Sequence, residues 1–292
     1  MSDIVNEIRS DEVSVSIELF PPKTQKTSAQ LKEEIGRIHE GMRVAFTSVT
    51  YGAGGATQDG TLSLVLDLAK RFPGRVVAHL TCVGADDKIF SELLSTYREN
   101  GMTDIMALRG DLPEGMSREQ AVVGGYRHAI DLVRWLRELG EVSSIGVACY
   151  PEGHPETADK AQDIDHFAAK AEAGADYAAT QFFFNNSDYL SFIDECGKRG
   201  VEIPVAPGIL AVRDVEQVVR FAGMCGASVP KRVISELSPY RDDPEGFKEK
   251  SADLAAAQIQ ELIDSGVKHF HLYSLNKSDI VLRVADRLGW RR

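Results

Sequence analysis

The chain has 292 residues, 43% hydrophobic and 26% charged, which is enough apolar material for one large core and too much for wholesale disorder. Its 33 Lys and Arg face 44 Asp and Glu, a formal charge of −11, so nucleic acid and anionic membrane are not expected partners. The four cysteines, Cys82, Cys149, Cys196 and Cys225, form no C-x-x-C pair; with no signal-peptide core and no apolar run of membrane length, the cytoplasm is the expected compartment.

Residues 1–12 read as a short polar extension. Eight apolar or β-branched runs follow: VSVSIELF (13–20), VAFTSVTY (44–51), VVAHLTC (76–82), DIMALRG (104–110), SIGVACY (144–150), DYAATQFFF (176–184), PVAPGIL (204–210) and HFHLYSLN (269–276). Each predicts a short buried strand. Helical spacing lies between them, as in Leu31, Ile35 and Ile38, or Ile89, Leu93 and Tyr97. Thr27 to Gln30 and Ser117 to Gln120 fit the capping box, and Gly101, Gly140, Gly174, Gly200 and Gly266 fit helix stops. Eight such alternations predict an α/β fold, a (β/α)8 TIM barrel in one catalytic domain over 1–292, with extra helices between strands 7 and 8. A doubly wound open sheet is the structural alternative.

Strand side chains alternate between faces, so parity separates barrel interior from helix layer. Ser14, Ser16, Glu18 and Phe20 then point inward, Glu18 near the mouth. The same reasoning groups Val77, His79 and Thr81; Ala107, Arg109 and Asp111; Ala148 and Tyr150; Ala179 and Gln181; and His271 and Tyr273. Polar groups gather at the strand ends that carry the site in such barrels. Plainer readings stand beside these: Arg109 and Asp111 as a structural ion pair, His79 as a core histidine, His154 as a turn cap, and Asp163 and Lys170 as a solvated helix face. The H-x-H pair His269 and His271 lacks matching ligands on other strands and is not read as a metal site. The glycine loop at 52–55 fits neither nucleotide-binding pattern and reads as a turn.

Taken together, IELFPPKT (17–24), SVTYGAGG (48–55), AHLTC (78–82), ALRGDLP (107–113), CYPEGHPE (149–156), AGADYAATQFFF (173–184) and HLYSLN (271–276) resemble the methylenetetrahydrofolate reductases, in order along nearly the whole chain. The bacterial type is the nearer likeness. No room remains for the C-terminal regulatory domain of eukaryotic members, so regulation by S-adenosylmethionine is not expected. The resemblance implies non-covalent FAD that relays hydride from NADH or NADPH to 5,10-methylenetetrahydrofolate, giving 5-methyltetrahydrofolate by a ping-pong route. Folate and nicotinamide are the expected small-molecule partners, and a homo-oligomer is expected.

By the same resemblance Glu18 is the general acid, which asks for a carboxyl protonated near neutral pH, with Phe20 helping to bury it. Asp111 is the second catalytic carboxylate, near flavin and pterin, and Gln181 is the amide that contacts substrate. Thr50, His79, Arg109, Gly110, Asp111, Tyr126, Ala148, Tyr150, His154, Asp163 and Lys170 are the implied FAD contacts, with Arg109 and Lys170 toward the pyrophosphate. Phe221, Tyr273 and Lys277 are further substrate candidates. The sequence departs from the family pattern at Lys277, often Arg, at His166, often Asn, and at Leu19, often Phe. Two rivals keep the barrel: a flavin-free pterin-binding methyl-transfer module, and a catalytically silent scaffold.

Overall fold

The computed structural model describes residues 2–22, 24–51, 58–112, 115–157 and 159–292, and the glycine loop at 52–55 lies outside them. Its strands are β1 (Ser14–Leu19), β2 (Thr47–Val49), β3 (Val76–Thr81), β4 (Asp104–Leu108), β5 (Ser144–Cys149), β6 (Tyr177–Thr180), β7 (Val205–Ala206), β8 (Gly208–Leu210) and β9 (His269–Tyr273). They run parallel in the order β7-β6-β5-β4-β3-β2-β1-β9-β8. β1 pairs with β2 on one side and β9 on the other. The outermost two segments are halves of one run, so the sheet closes as a barrel and the open doubly wound alternative falls.

The seventh predicted strand is thus two segments, divided at Pro207. Proline has no N–H to give to a ladder. The first half pairs with β6 and the second with β9, and the Pro207 carbonyl accepts from the His271 N–H at 3.0 Å. At Gly208 the backbone passes so close to β6 that a Cβ would lie 2.2 Å from the Thr180 carbonyl oxygen and 2.7 Å from Cε2 of Tyr273. Only glycine fits there.

Alternation divides the apolar residues into two layers. Val15, Ile17, Leu19, Ala78, Leu80, Ile105, Val147, Phe270 and Leu272 pack outward beneath the helices. Val77, Met106, Tyr177 and Ala179 fill the barrel. On β4 the expected parity is reversed: Ala107 belongs to the outer layer and Met106 points inward, opposite His79. After Asp104 the run IMAL is apolar on both faces, as strands of a covered parallel sheet are, and so carries little alternation to read.

Residues 3–8, within the stretch taken for a polar extension, form a helix (Asp3–Ile8) capped by the Ser2 hydroxyl. Its Ile4, Val5 and Ile8 pack against Ala45, Phe46 and Tyr177 and stop the barrel floor, each contributing about 1.5–3 kcal/mol by burial. The capping box expected at Thr27 lies one turn earlier, at Thr24 and Thr27, because the helix starts at Gln25. The box at Ser117 and Gln120 is present. All five glycines read as helix stops take positive φ. In the helix Asp87–Glu99 the buried stripe is Phe90, Leu94 and Tyr97, one residue on from Ile89 and Leu93. The long seventh interval holds helices Val215–Cys225, Lys231–Leu237 and Pro244–Asp264, with a 3-10 turn at Ser238–Tyr240, around their own apolar cluster. Among the described residues no helix is long and apolar enough to cross a membrane.

Candidate active site

β1 carries Glu18 to the mouth, in register with Ser48 of β2 and Tyr273 of β9. The hydroxyl of Ser274 donates to the Glu18 carbonyl at 2.8 Å, and the Asn276 side chain clamps Phe20 by accepting from its N–H and donating to its carbonyl, both at 2.8 Å. The clamp needs a tight turn after β9, where Leu275 and Asn276 both adopt positive φ, 50° and 61°. That conformation is unfavourable for leucine and is the kind of strain found at functional sites.

Two imidazoles approach the same carboxylate oxygen of Glu18: His271 Nε2 at 3.5 Å and His79 Nε2 at 3.7 Å. Burial pushes the Glu18 pKa up, but the His271 hydrogen bond, followed by the pull of His79 and His271, outweighs it and leaves the carboxyl below its usual range. This corrects the expectation of a group protonated near neutral pH. Nor does Phe20 bury it, being 39% exposed itself; the histidines of β3 and β9 do. Burial pushes His79 down to about 4, so at neutral pH it stands beside Glu18 as a neutral imidazole, 3.7 Å away and not hydrogen-bonded to it.

A second group gathers at the β4 and β5 ends. Arg109 pairs with Glu156, which also holds Arg118 at 2.5 Å, so the ion pair considered between Arg109 and Asp111 is not the one formed. Gly110 takes φ +88°, and a Cβ there would lie 2.8 Å from Cβ of Thr81. Lys170 reaches in from the helix Lys160–Glu172 to donate to the Ala148 carbonyl at 2.5 Å. Burial pushes its pKa down. Asp163, 8% exposed, accepts from the His154 backbone N–H at 3.2 Å, and burial raises its pKa against the pull of Lys170. Both therefore face inward and are not a solvated surface. Tyr150 meets His154 edge-on at 4.6 Å; burial raises its phenol pKa, and the charges of Asp163, Arg109 and Asp111 all reach it. His154 Nδ1 accepts from the Glu156 N–H at 3.1 Å, the local cap that its plainer reading foresaw.

The remaining candidates divide. Thr50 follows β2 with its N–H on the Leu19 carbonyl at 2.9 Å. Asp111 is exposed beyond β4. The Gln181 side-chain oxygen turns back onto the Phe182 N–H at 2.9 Å, and the Tyr273 hydroxyl donates to the Thr180 carbonyl at 2.7 Å. Phe221 is half-buried in the cluster of the long interval. Lys277 is held by Glu34 at 3.3 Å. Tyr126 is not brought to the mouth: its hydroxyl donates to Asp87, and its ring packs against Phe90 and Trp135 in the helix layer. His166 is exposed.

Ser274 and Asn276 were not among the sequence candidates; Ser16 and His271 were placed on the inward face without a role, and His269 was weighed only with His271 as a metal pair. Both histidines are instead hydrogen-bonded to β1 serines, and among the described residues no group of three or more His, Cys, Asp or Glu is arranged to hold a metal ion. The available signal was parity: Ser14 and Ser16 share the face of Glu18, as His269 shares that of His271.

The family model for methylenetetrahydrofolate reductase matches residues 3–289. A 5,10-methylenetetrahydrofolate reductase of Pectobacterium carotovorum is 36% identical over 279 residues, covering 96% of this chain and 91% of that protein. The Escherichia coli K12 protein of the same name is 35% identical over 280 residues, covering 96% and 92%. Among solved structures, an uncharacterized Clostridium thermocellum protein described as binding two copies of 5-methyl-5,6,7,8-tetrahydrofolic acid superposes with a TM-score of 0.65 at 14% identity, covering 98% and 96% of the two chains. That likeness speaks for the barrel alone. The sequence matches, extending through the β1 and β9 ends that hold Glu18 and His271, decide the family: the chain belongs to the methylenetetrahydrofolate reductases.

Proposed function

We propose that this chain reduces 5,10-methylenetetrahydrofolate to 5-methyltetrahydrofolate with NADH or NADPH, through non-covalent FAD in a ping-pong cycle. The observation that carries the reading is the Glu18 carboxyl at the mouth between His79 and His271, in a chain of this family.

The residues present fit a flavin dinucleotide. Half-buried Lys170 gives one N–H to the Ala148 carbonyl, its one hydrogen bond among the described residues, and so has donors left for an anion. His79 Nε2 is buried with no hydrogen-bond partner, and Gly110 and Thr81 pack too tightly for a side chain at 110. Lys170 and Arg109 would hold the pyrophosphate, Asp163 would accept from cofactor hydroxyls, and Tyr150 and His154 would flank the dinucleotide. FAD, when bound, takes hydride from the nicotinamide and passes it to the folate.

The chain's own task is to orient substrate and supply a proton. Glu18 gives a proton to the folate nitrogen that leaves when the imidazolidine ring opens. Its carboxylate is anionic in the uncovered mouth, so protonation accompanies substrate binding, when the bound molecules strip water from the anion. Asp111 accepts from the pterin N–H groups. Gln181 gives up its bond to Phe182 and turns its amide to the substrate.

Stopped-flow mixing tests the cycle. NADH or NADPH alone is expected to bleach the flavin, and methylenetetrahydrofolate then to restore its colour in the absence of nicotinamide. Reduction that requires both substrates together overturns the ping-pong reading, and a purified protein that binds no flavin overturns the reaction.

A further inference from the structure

Glu18 stands at the upper end of a hydrogen-bonded chain that runs down the barrel wall between β1 and β9. His271 Nε2 lies 3.5 Å from the Glu18 carboxylate, and its Nδ1 lies 2.7 Å from the Ser16 hydroxyl. The same hydroxyl lies 3.0 Å from His269 Nε2, and His269 Nδ1 lies 2.7 Å from the Ser14 hydroxyl. Ser14 and Ser16 are buried, as are both histidines. His269 also lines a cavity of about 380 Å³ at the barrel floor, beside Ile8, Ser10 and Lys268. The chain therefore runs from Ser14 at the barrel floor, beside the Glu7 carbonyl, to the carboxyl at the mouth.

From these contacts we infer that Ser14, His269, Ser16 and His271 form a proton relay that charges Glu18 from the floor while ligands cover the mouth; the inference deepens the proposed reduction and depends on it for the destination of the proton. The donor logic leaves two arrangements. A neutral imidazole has one N–H and one bare nitrogen, and a serine has one proton to give. With Glu18 as carboxylate, His271 gives Nε2–H to it, Ser16 gives to His271 Nδ1, His269 gives Nε2–H to Ser16, and Ser14 gives to His269 Nδ1. Every donor points up the chain. With Glu18 protonated all reverse, and the Ser14 hydroxyl turns to the Glu7 carbonyl, 3.3 Å away.

Passage from the first arrangement to the second moves one proton. It enters at the floor through Ser14 to His269 Nδ1. His269 releases its Nε2 proton through Ser16 to His271 Nδ1, and His271 releases its own to Glu18. No electrons are transferred, and the folate nitrogen receives that proton from Glu18 as its bond to the bridging carbon breaks. After product leaves, a proton from the open mouth adds at His271 Nε2, the shifts run downward and one proton leaves at the floor. The cycle consumes one proton per folate. Burial pushes His269 down to about 3, which keeps it a neutral carrier, and the long link to Glu18 is of the kind that shortens when substrate binds.

Nitrogen-15 NMR of histidine-labelled protein, with no substrate added, tests the chain apart from activity. His269 and His271 are expected to share the Nε2–H tautomer, and Glu18→Gln is expected to shift the His269 nitrogens, a response lost when Ser16→Ala is added. Opposite tautomers, or a His269 response indifferent to Ser16, overturn the relay. In stopped flow, Ser16→Ala is expected to slow folate-dependent flavin oxidation about tenfold and change its solvent isotope effect, with reduction by nicotinamide kept within about twofold. Ser14→Ala, farther from Glu18, is expected to do the same and serves if Ser16→Ala does not fold. Folate oxidation at the native rate in both variants overturns the relay. A native protein with no folate-dependent oxidation overturns the proposed function instead, and NMR still decides the chain.

Discussion

At Glu18 position and protonation have different sources. Parity along β1 places the residue inward, and the structure agrees; its proton affinity is set by His79 and His271, brought up by β3 and β9. No local pattern in 13–20 carries that information. The functional consequence is tested by Glu18→Gln, which keeps the volume and one acceptor oxygen while removing the acid. Flavin binding and reduction by nicotinamide are expected to stay near native, with folate-dependent oxidation falling by roughly 10²–10⁴-fold. Oxidation by folate at nearly the native rate would show that another group donates the proton. Arg109 was legible as a charged residue at a strand end, but its partner Glu156 lies on a loop 47 positions away, beyond the reach of spacing arguments.

Elements were legible where one face is polar and obscure where both are apolar. On β1, β5, β6 and β9 parity gives the observed faces; on β4, where Ile105 and Ala107 face one way and Met106 and Leu108 the other, the expected parity is reversed. The helix Asp3–Ile8 hid because its three buried residues are diluted by Asp3, Asn6 and Glu7. The division of the seventh strand follows from Pro207, while the need for glycine at 208 shows only once Thr180 and Tyr273 are in place. Gly208→Ala is expected to cost about 1–3 kcal/mol through overpacking and to tilt the Tyr273 ring. Urea unfolding should show the loss. A midpoint equal to the native one would mean that β6 and β8 part more easily than their contacts indicate.

For the molecule as a whole, the long interval is tied back to the barrel by Arg213, whose guanidinium pairs with Asp279 at the start of the helix Asp279–Arg287. Burial alone would raise the Asp279 pKa, but the Arg213 hydrogen bonds and charge outweigh it and hold the group at about 2. A depressed carboxylate stabilises the fold above its unfolded pKa, near 4, and loses that contribution as pH falls through the folded value. Asp279→Asn is accordingly expected to cost about 1–2 kcal/mol at pH 7, the gap to the native protein narrowing between pH 4 and pH 2. Urea titrations at pH 7 and pH 3 measure it, and a gap independent of pH would assign the stabilisation to helix capping instead.

The seam between β1 and β9 has a further consequence. Glu18 and His271 stand 253 positions apart in sequence yet meet across one pair of neighbouring strands. A contact of such separation is among the slowest for a chain to find, since closing the intervening loop costs entropy before any bond repays it. During synthesis, the first strand leaves the ribosome long before its partner exists, with Glu18 lacking the imidazole of His271. The carboxyl and the imidazole that lowers its proton affinity therefore come together only when the β1–β9 seam closes.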